Sequence, residues 1–254
     1  MTAAAEPDHP AEPDGIRAVS ATSIEGHRFR YYDFAMAAFC TILICSNLIG
    51  AGKAATFTVP LYGPVVFGAG ILFFPLSYVL GDVLTEVYGY ARARRVVWAG
   101  FGASIFAAFM AWAVVTMPPA PDWTGQDALA AVFGQVPRIF FASILAFWAG
   151  EIANAFVLAR MKVLTKGRWL WTRTIGSTVV GQGVDTLIFI PLAFLGVWKT
   201  SLVIHVLIAN YLFKVSWEIV LTPLTYKIVA WFKRAEGLDV FDTATDFSPF
   251  RTKV

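Results

Sequence analysis

Residues 137–160 read PRIFFASILAFWAGEIANAFVLAR, and the fold class turns on them. Arg138 and Arg160 stand at the two ends, and Glu151 is the one charge between them. At 1.5 Å per residue the run between the two arginines is about 32 Å long, close to the thickness of a hydrocarbon core. In lipid such a run must be helical, because every backbone N–H and C=O needs an internal partner. Comparable apolar runs cover 33–52, 62–90, 95–117, 174–197 and 200–231. The sequence therefore predicts an all-α polytopic membrane protein, a bundle of six transmembrane helices spanning residues 31–233. The run over 62–90 is long and carries Pro75, Gly81, Asp82 and Glu86, which predicts a kink or a break. Residues 118–136 are too polar to cross and belong at the interface, with Trp123 as an anchor.

Composition agrees with a lipid solvent. The chain is 57% hydrophobic and 15% charged, with 22 Phe and 9 Trp, and its mean hydropathy is +0.64. Those values exclude an ordinary soluble domain. The net charge of +3 needs no nucleic acid to explain it. The cations fall in short clusters flanking the spans, where anionic lipid favours them. Arg28 and Arg30, Arg92 to Arg95, Arg160 to Arg173, and Lys227 to Lys253 alternate with loops that hold few cations. The positive-inside rule then puts both termini of this inner-membrane protein in the cytoplasm. Residues 1–30 and 234–254 read as polar cytoplasmic tails, the first of them disordered. Cys40 and Cys45 read as buried free thiols.

Several chemistries lack their residues. Gly68/Gly70, Gly100/Gly102 and Gly181/Gly183 do not extend to GxGxxG after a strand. Two of the three histidines, His9 and His27, lie in the tail, so a His-based metal centre or a Ser-His-Asp triad within the membrane is excluded. No enzyme, metal or cofactor is expected. Small residues spaced by four, Ala99 to Ala111, Gly100 to Ala108 and Ser177 with Gly181, favour close helix packing within the chain over a dimer contact.

The ionisable residues inside the spans carry the functional expectation, since each costs about 2.5–3.5 kcal/mol to insert near the bilayer centre. Glu151 lies about 20 Å from Arg138 and about 14 Å from Arg160 by helical rise. Asp185 and Lys214 are similarly deep, on the fifth and sixth spans. Asn154, Gln182, Asn210 and Glu218 share their helix faces at spacings of three or four. Three polar stripes predict one wet cavity, against the alternative of a buried ion pair such as Lys214 with Asp185 that only locks the bundle. Asp82 and Glu86 stand one turn apart beside Tyr78; Glu86 lies near enough to the basic flank to pair there with an arginine instead. Asn47, with Ser46, either joins the cavity or bridges helices. Five acids against Lys214 make the region negative, suited to a cation, a proton or a heterocycle rich in N–H donors.

At this point the residues carry a resemblance. Ser46-Asn47, FPLSYVLGDVLTEVYGYARARR (74–95), residues 137–156, GSTVVGQGVDTLIF (176–189) and NYLFKVSWEI (210–219) resemble the queuosine precursor transporter family, also called vitamin uptake transporters. The resemblance covers about 33–232 and rests on the D-xx-TE-x-YG-x3-RR and GQ-x2-DT patterns. It implies an importer of 7-deazaguanines, such as 7-cyano- and 7-aminomethyl-7-deazaguanine. It also implies a bundle similar to the substrate-binding components of energy-coupling-factor importers, and it is compatible with a homodimer. Matching positions make Asp82, Thr85, Glu86, Glu151, Gln182, Asp185 and Lys214 the implied polar lining, with Asn47, Asn154 and Asn210 as further candidates. Two other readings remain. One is a binding component dependent on separate ATPase subunits, for which the first span offers only a poor small-residue patch at Ala35 and Ala37. The other is a membrane enzyme or a purely structural subunit.

Overall fold

The computed structural model describes residues 16–24, 27–48, 54–59, 63–68, 73–133, 137–196, 199–243 and 245–251. Strand β1 (Arg17–Ser20) and a short 3-10 turn precede helix α1 (Tyr32–Leu48). Strands β2 (Ala54–Val59) and β3 (Gly63–Gly68) follow, then helices α2 (Phe74–Tyr88), α3 (Tyr90–Thr116) and α4 (Gln126–Phe133). Helices α5 (Pro137–Leu164), α6 (Leu170–Phe194) and α7 (Thr200–Glu236) lead into strand β4 (Leu238–Phe241). The described chain is mostly helical. Three of its helices are long and apolar enough to cross a membrane: α3, the Phe141–Leu164 part of α5, and α6.

Helix α2 occupies the centre, packed against α1, α3, α5 and α7. Pro75 sits in its first turn, where a missing N–H costs nothing. Ser77 to Val79 and Gly81 to Tyr88 are all buried. The helix stops at Gly89, whose φ of 83° and ψ of 166° favour glycine, and α3 leaves at once from Tyr90. Outward, α3 presents Ile105, Phe106, Phe109, Met110 and Trp112, the apolar belt a lipid-facing helix needs.

The run expected as one span over 62–90 is instead a strand and a 15-residue helix. β2 and β3 pair antiparallel, from Ala54 opposite Gly68 to Val59 opposite Gly63. The β-branched Thr56, Thr58, Val65 and Val66 favour strands, and a short apolar run cannot be told from a helix by periodicity alone. The open edges of a two-stranded hairpin bar it from contact with hydrocarbon. Residues 49–53, 60–62 and 69–72, parts of the first and second expected spans, lie outside the described residues.

The tails also depart from expectation. β1 pairs in parallel with β4, Arg17 opposite Leu238, and Ile16 and Ile24 are buried. Residues 17–24 thus form a strand and a 3-10 turn within the stretch whose composition predicts a disordered tail. Asp242 accepts the Tyr90 N–H at 3.1 and 3.0 Å. Arg94 donates to the carbonyls of Asp246 at 2.9 Å and Ser248 at 2.5 Å, and Trp98 donates to Pro249 O at 2.8 Å. Phe247 packs between Tyr90 and Phe156. A polar composition hid a few apolar residues, each with its own seat. Cys45 is exposed and Cys40 half-buried, both free thiols, so the expectation of two buried thiols fails for Cys45.

Candidate functional site

Two glycines bring α5 and α6 into contact. A β-carbon on Gly150 would lie 2.9 Å from Gly181 O and 2.8 Å from Asp185 Cβ; one on Gly181 would lie 2.7 Å from Asn154 Cβ. Only hydrogen fits at either position, so the crossing sets the depth of Asn154 and Asp185. At Gly81 of α2 the neighbour is a side chain instead of backbone: a β-carbon there would stand 1.8 Å from Glu151 Oε1. The small-residue spacing at Gly181 thus serves packing within the chain. So does Gly100, which meets Leu43 and Phe39 of α1.

Around this crossing the polar side chains of four helices meet. Asn154 donates to Asp82 Oδ1 at 2.7 Å. Glu218 of α7 lies within direct electrostatic reach of Asp82 and Glu151, and Glu151 within reach of Asp185. Gln182 lies beside the Tyr78 hydroxyl. Lys214 and Asp185 form an ion pair, the alternative that the sequence left open, and it borders the cluster. Asp82, Glu151, Gln182, Asp185 and Glu218 are each at most 5% exposed.

The bonding ledger of this cluster is lopsided. Asp82 Oδ2, Glu151 Oε1, Asn154 Oδ1, Gln182 Oε1 and Glu218 Oε1 are buried without a hydrogen-bond partner. All five are carbonyl or carboxylate oxygens, able to accept and, when unprotonated, unable to donate. Buried polar atoms are rarely left in this state. Among the described residues, Asp82, Glu151 and Glu218 also take part in no ion pair. The cluster is short of hydrogens and of positive charge.

Other expected lining residues sit elsewhere. Glu86, one turn below Asp82, accepts Arg173 at 2.6 Å and Lys233 at 2.9 Å, with Lys162 at 3.7 Å. Lys162 and Lys233 also hold Asp239 of β4, at 2.5 and 2.9 Å. Glu86 is thus the hub of an ionic knot joining α2, α5, α6, α7 and β4. Lys162 and Arg173, expected as loop cations facing lipid headgroups, are buried within helices. Asn47 donates to Leu43 O at 2.8 Å and accepts from Ser143 at 3.2 Å, a bridge from α1 to α5. Thr85 bonds back to Gly81 O at 2.9 Å. Asn210 is half-buried one turn before Lys214. Glu218 and Tyr78, read from sequence only as neighbours, belong to the cluster; their helical spacing from Lys214 and Asp82 was the signal.

Beyond the spans, two tail carboxyls differ. Burial would raise the Asp239 carboxyl, but the Lys162 and Lys233 ammonium groups outweigh it and hold the group below the ordinary carboxylate range. At Asp242 the cations Lys162 and Arg92 are only the smallest influences, and among the described residues none forms an ion pair with it. Burial pushes its carboxyl up, against hydrogen bonds from Thr245 and the Tyr90 amide.

The chain is similar to known transporters. The family described as "Putative vitamin uptake transporter" matches residues 68–228. The chain is 33% identical to "Probable queuosine precursor transporter" of Bacillus subtilis (strain 168), over 72% of this chain and 78% of that one. It is 29% identical to "Queuosine precursor transporter" of Escherichia coli (strain K12), over 59% of this chain and 67% of that one. No solved structure matches it.

Proposed function

The chain belongs to the family of putative vitamin uptake transporters, and from that premise we infer that it imports queuosine precursors, 7-cyano- or 7-aminomethyl-7-deazaguanine, across a bacterial inner membrane. The substrate binds among α2, α5, α6 and α7, midway through a six-helix bundle whose two termini are cytoplasmic. The observation that carries this reading is the set of five partnerless acceptor oxygens. A guanine-type ring offers an adjacent ring N–H and amino group, and a carboxylate accepts two such bonds in parallel. Asp82 and Glu151 take that edge. Lys214 has three donors and spends one on Asp185, so its ammonium faces the ring carbonyl. Unpaired acceptors become satisfied on binding, which favours a donor-rich ring over one lacking those N–H groups.

The chain works without separate ATPase subunits. Ala35 and Phe39 of α1 are buried within the fold, which leaves the exposed pair Ala37 and Thr41 as a small patch for docking. The test is tRNA queuosine content in a host unable to make the precursor, fed 7-cyano-7-deazaguanine, with and without this gene. Modification restored only when the gene is present supports the reading; modification independent of it overturns the substrate assignment.

A further inference from the structure

Of the two precursors in the importer reading, 7-aminomethyl-7-deazaguanine brings its own ammonium charge, whereas 7-cyano-7-deazaguanine brings N–H donors to the cluster but no charge. 7-Cyano-7-deazaguanine is neutral, and its dipoles cannot cancel carboxylates buried together. Four cations lie around the site, Lys214, Lys162, Arg173 and Lys233, and each is committed to Asp185, Glu86 or Asp239. Were every acid ionised, Asp82, Glu151 and Glu218 would stand without a cation. Each such buried ion costs several kcal/mol, so with a neutral ring bound the cluster favours a state in which one of these acids holds a proton.

A metal ion is a poor substitute for that proton. Among the described residues no three of His, Cys, Asp or Glu converge closely enough to hold one. A proton needs no shared coordination sphere, only an oxygen with a free lone pair, and Glu218 Oε1 has one. The amide oxygens of Asn154 and Gln182, 6% and 4% exposed, are likewise partnerless and could accept from a protonated carboxyl. Tyr78 and Asp82 of α2 lie within direct electrostatic reach of Glu218, and Lys214 stands four residues before it on α7. Glu151 of α5 is also in reach. Glu86 and Asp239 are neutralised by their knot; Asp82 and Glu151 are the charges that Glu218 feels.

We propose that Glu218 is a proton-carrying site that loads a proton from the outer side together with a neutral 7-deazaguanine and releases it inside, coupling import to the proton gradient. The step breaks no covalent bond in the substrate. A hydronium gives its proton to the Glu218 carboxylate, and the carboxyl later returns it to water on the cytoplasmic side. Glu218 and Lys233 of the knot lie on one helix, α7, with Pro223 between them.

The inference rests on the importer reading, and one experiment separates the two. The full chain is reconstituted in liposomes and given labelled 7-cyano-7-deazaguanine, with and without an inward proton gradient. Accumulation should rise about tenfold per pH unit of gradient for one proton per substrate, because a pH unit carries about 1.4 kcal/mol. A protonophore should abolish it. Glu218→Gln should lose that accumulation and leave whatever exchange of labelled for unlabelled substrate remains insensitive to the proton gradient, and a melting temperature in detergent close to wild type shows that it has folded. Accumulation that ignores the proton gradient, or follows sodium instead, overturns the proton site and leaves the importer standing. A Glu218→Gln protein that still accumulates substrate on the proton gradient overturns it too. Absence of any exchange in the wild type overturns the importer and this inference with it.

Discussion

Glu151 places Oε1 1.8 Å from where a β-carbon of residue 81 would stand, so the acid of α5 lies directly on the backbone of α2. The clash in Gly81→Ala is with the far end of a flexible side chain. Glu151 can therefore turn away and the helices can stay where they are. The expected result is a melting temperature close to wild type and an uptake rate at least about tenfold lower, the cost of misplacing one polar group by roughly an ångström. Uptake at the wild-type rate would remove Glu151 from the site.

Gly150→Ala and Gly181→Ala should behave in the opposite way. Their β-carbons would meet backbone carbonyls 2.9 Å away, which cannot rotate aside, so the α5–α6 crossing must open. Overpacking of this kind costs about 1–3 kcal/mol. Denaturation in detergent should show both variants destabilised, with uptake falling alongside.

Those contrasts show what could be read from the letters. Glu151, Asp185 and Lys214 were legible because an ionisable residue in an apolar run must find a partner, and Asn154, Gln182 and Glu218 followed from helical spacing. The β2–β3 hairpin was not legible, because an apolar stretch of six residues fits strand and helix alike. Nor was the knot at Glu86. Lys162 and Arg173 stand at span ends, where cations ordinarily meet lipid headgroups, and only the folded chain shows them meeting an acid 76 and 87 positions away. The docking of residues 238–251 was hidden for the same reason, since Val240 with Phe241, and Phe247, are short apolar islands in polar surroundings.

Glu86→Gln is expected to be the most damaging single change near the basic end. It removes the charge that Arg173, Lys233 and Lys162 share and leaves buried cations uncompensated, which costs about 3–5 kcal/mol. Asp239→Asn should cost less, because Asp239 is partly exposed and Glu86 still holds both lysines. Thermal unfolding of the two variants in detergent checks the order.

The two tail carboxyls predict opposite pH responses. Asp239 is held below the ordinary range, so its ion pairs stabilise the fold above the unfolded carboxylate pKa of about 3.9. That contribution disappears as pH falls through the depressed value in the folded protein. Asp242 is pushed up, so its contribution is full below about 3.9 and is lost as pH rises through the raised value. Asp239→Asn should therefore flatten the acid limb of a stability profile. Asp242→Asn should flatten the limb above it and be neutral or stabilising at pH 7, because the amide oxygen still accepts the Tyr90 N–H without the cost of a buried charge. Asp242→Ala leaves that N–H unpaired at the first turn of α3 and should lower stability by about 1 kcal/mol. An Asp242→Asn protein less stable than Asp242→Ala at neutral pH would mean that the charge, not the acceptor, holds the α2–α3 junction to the tail.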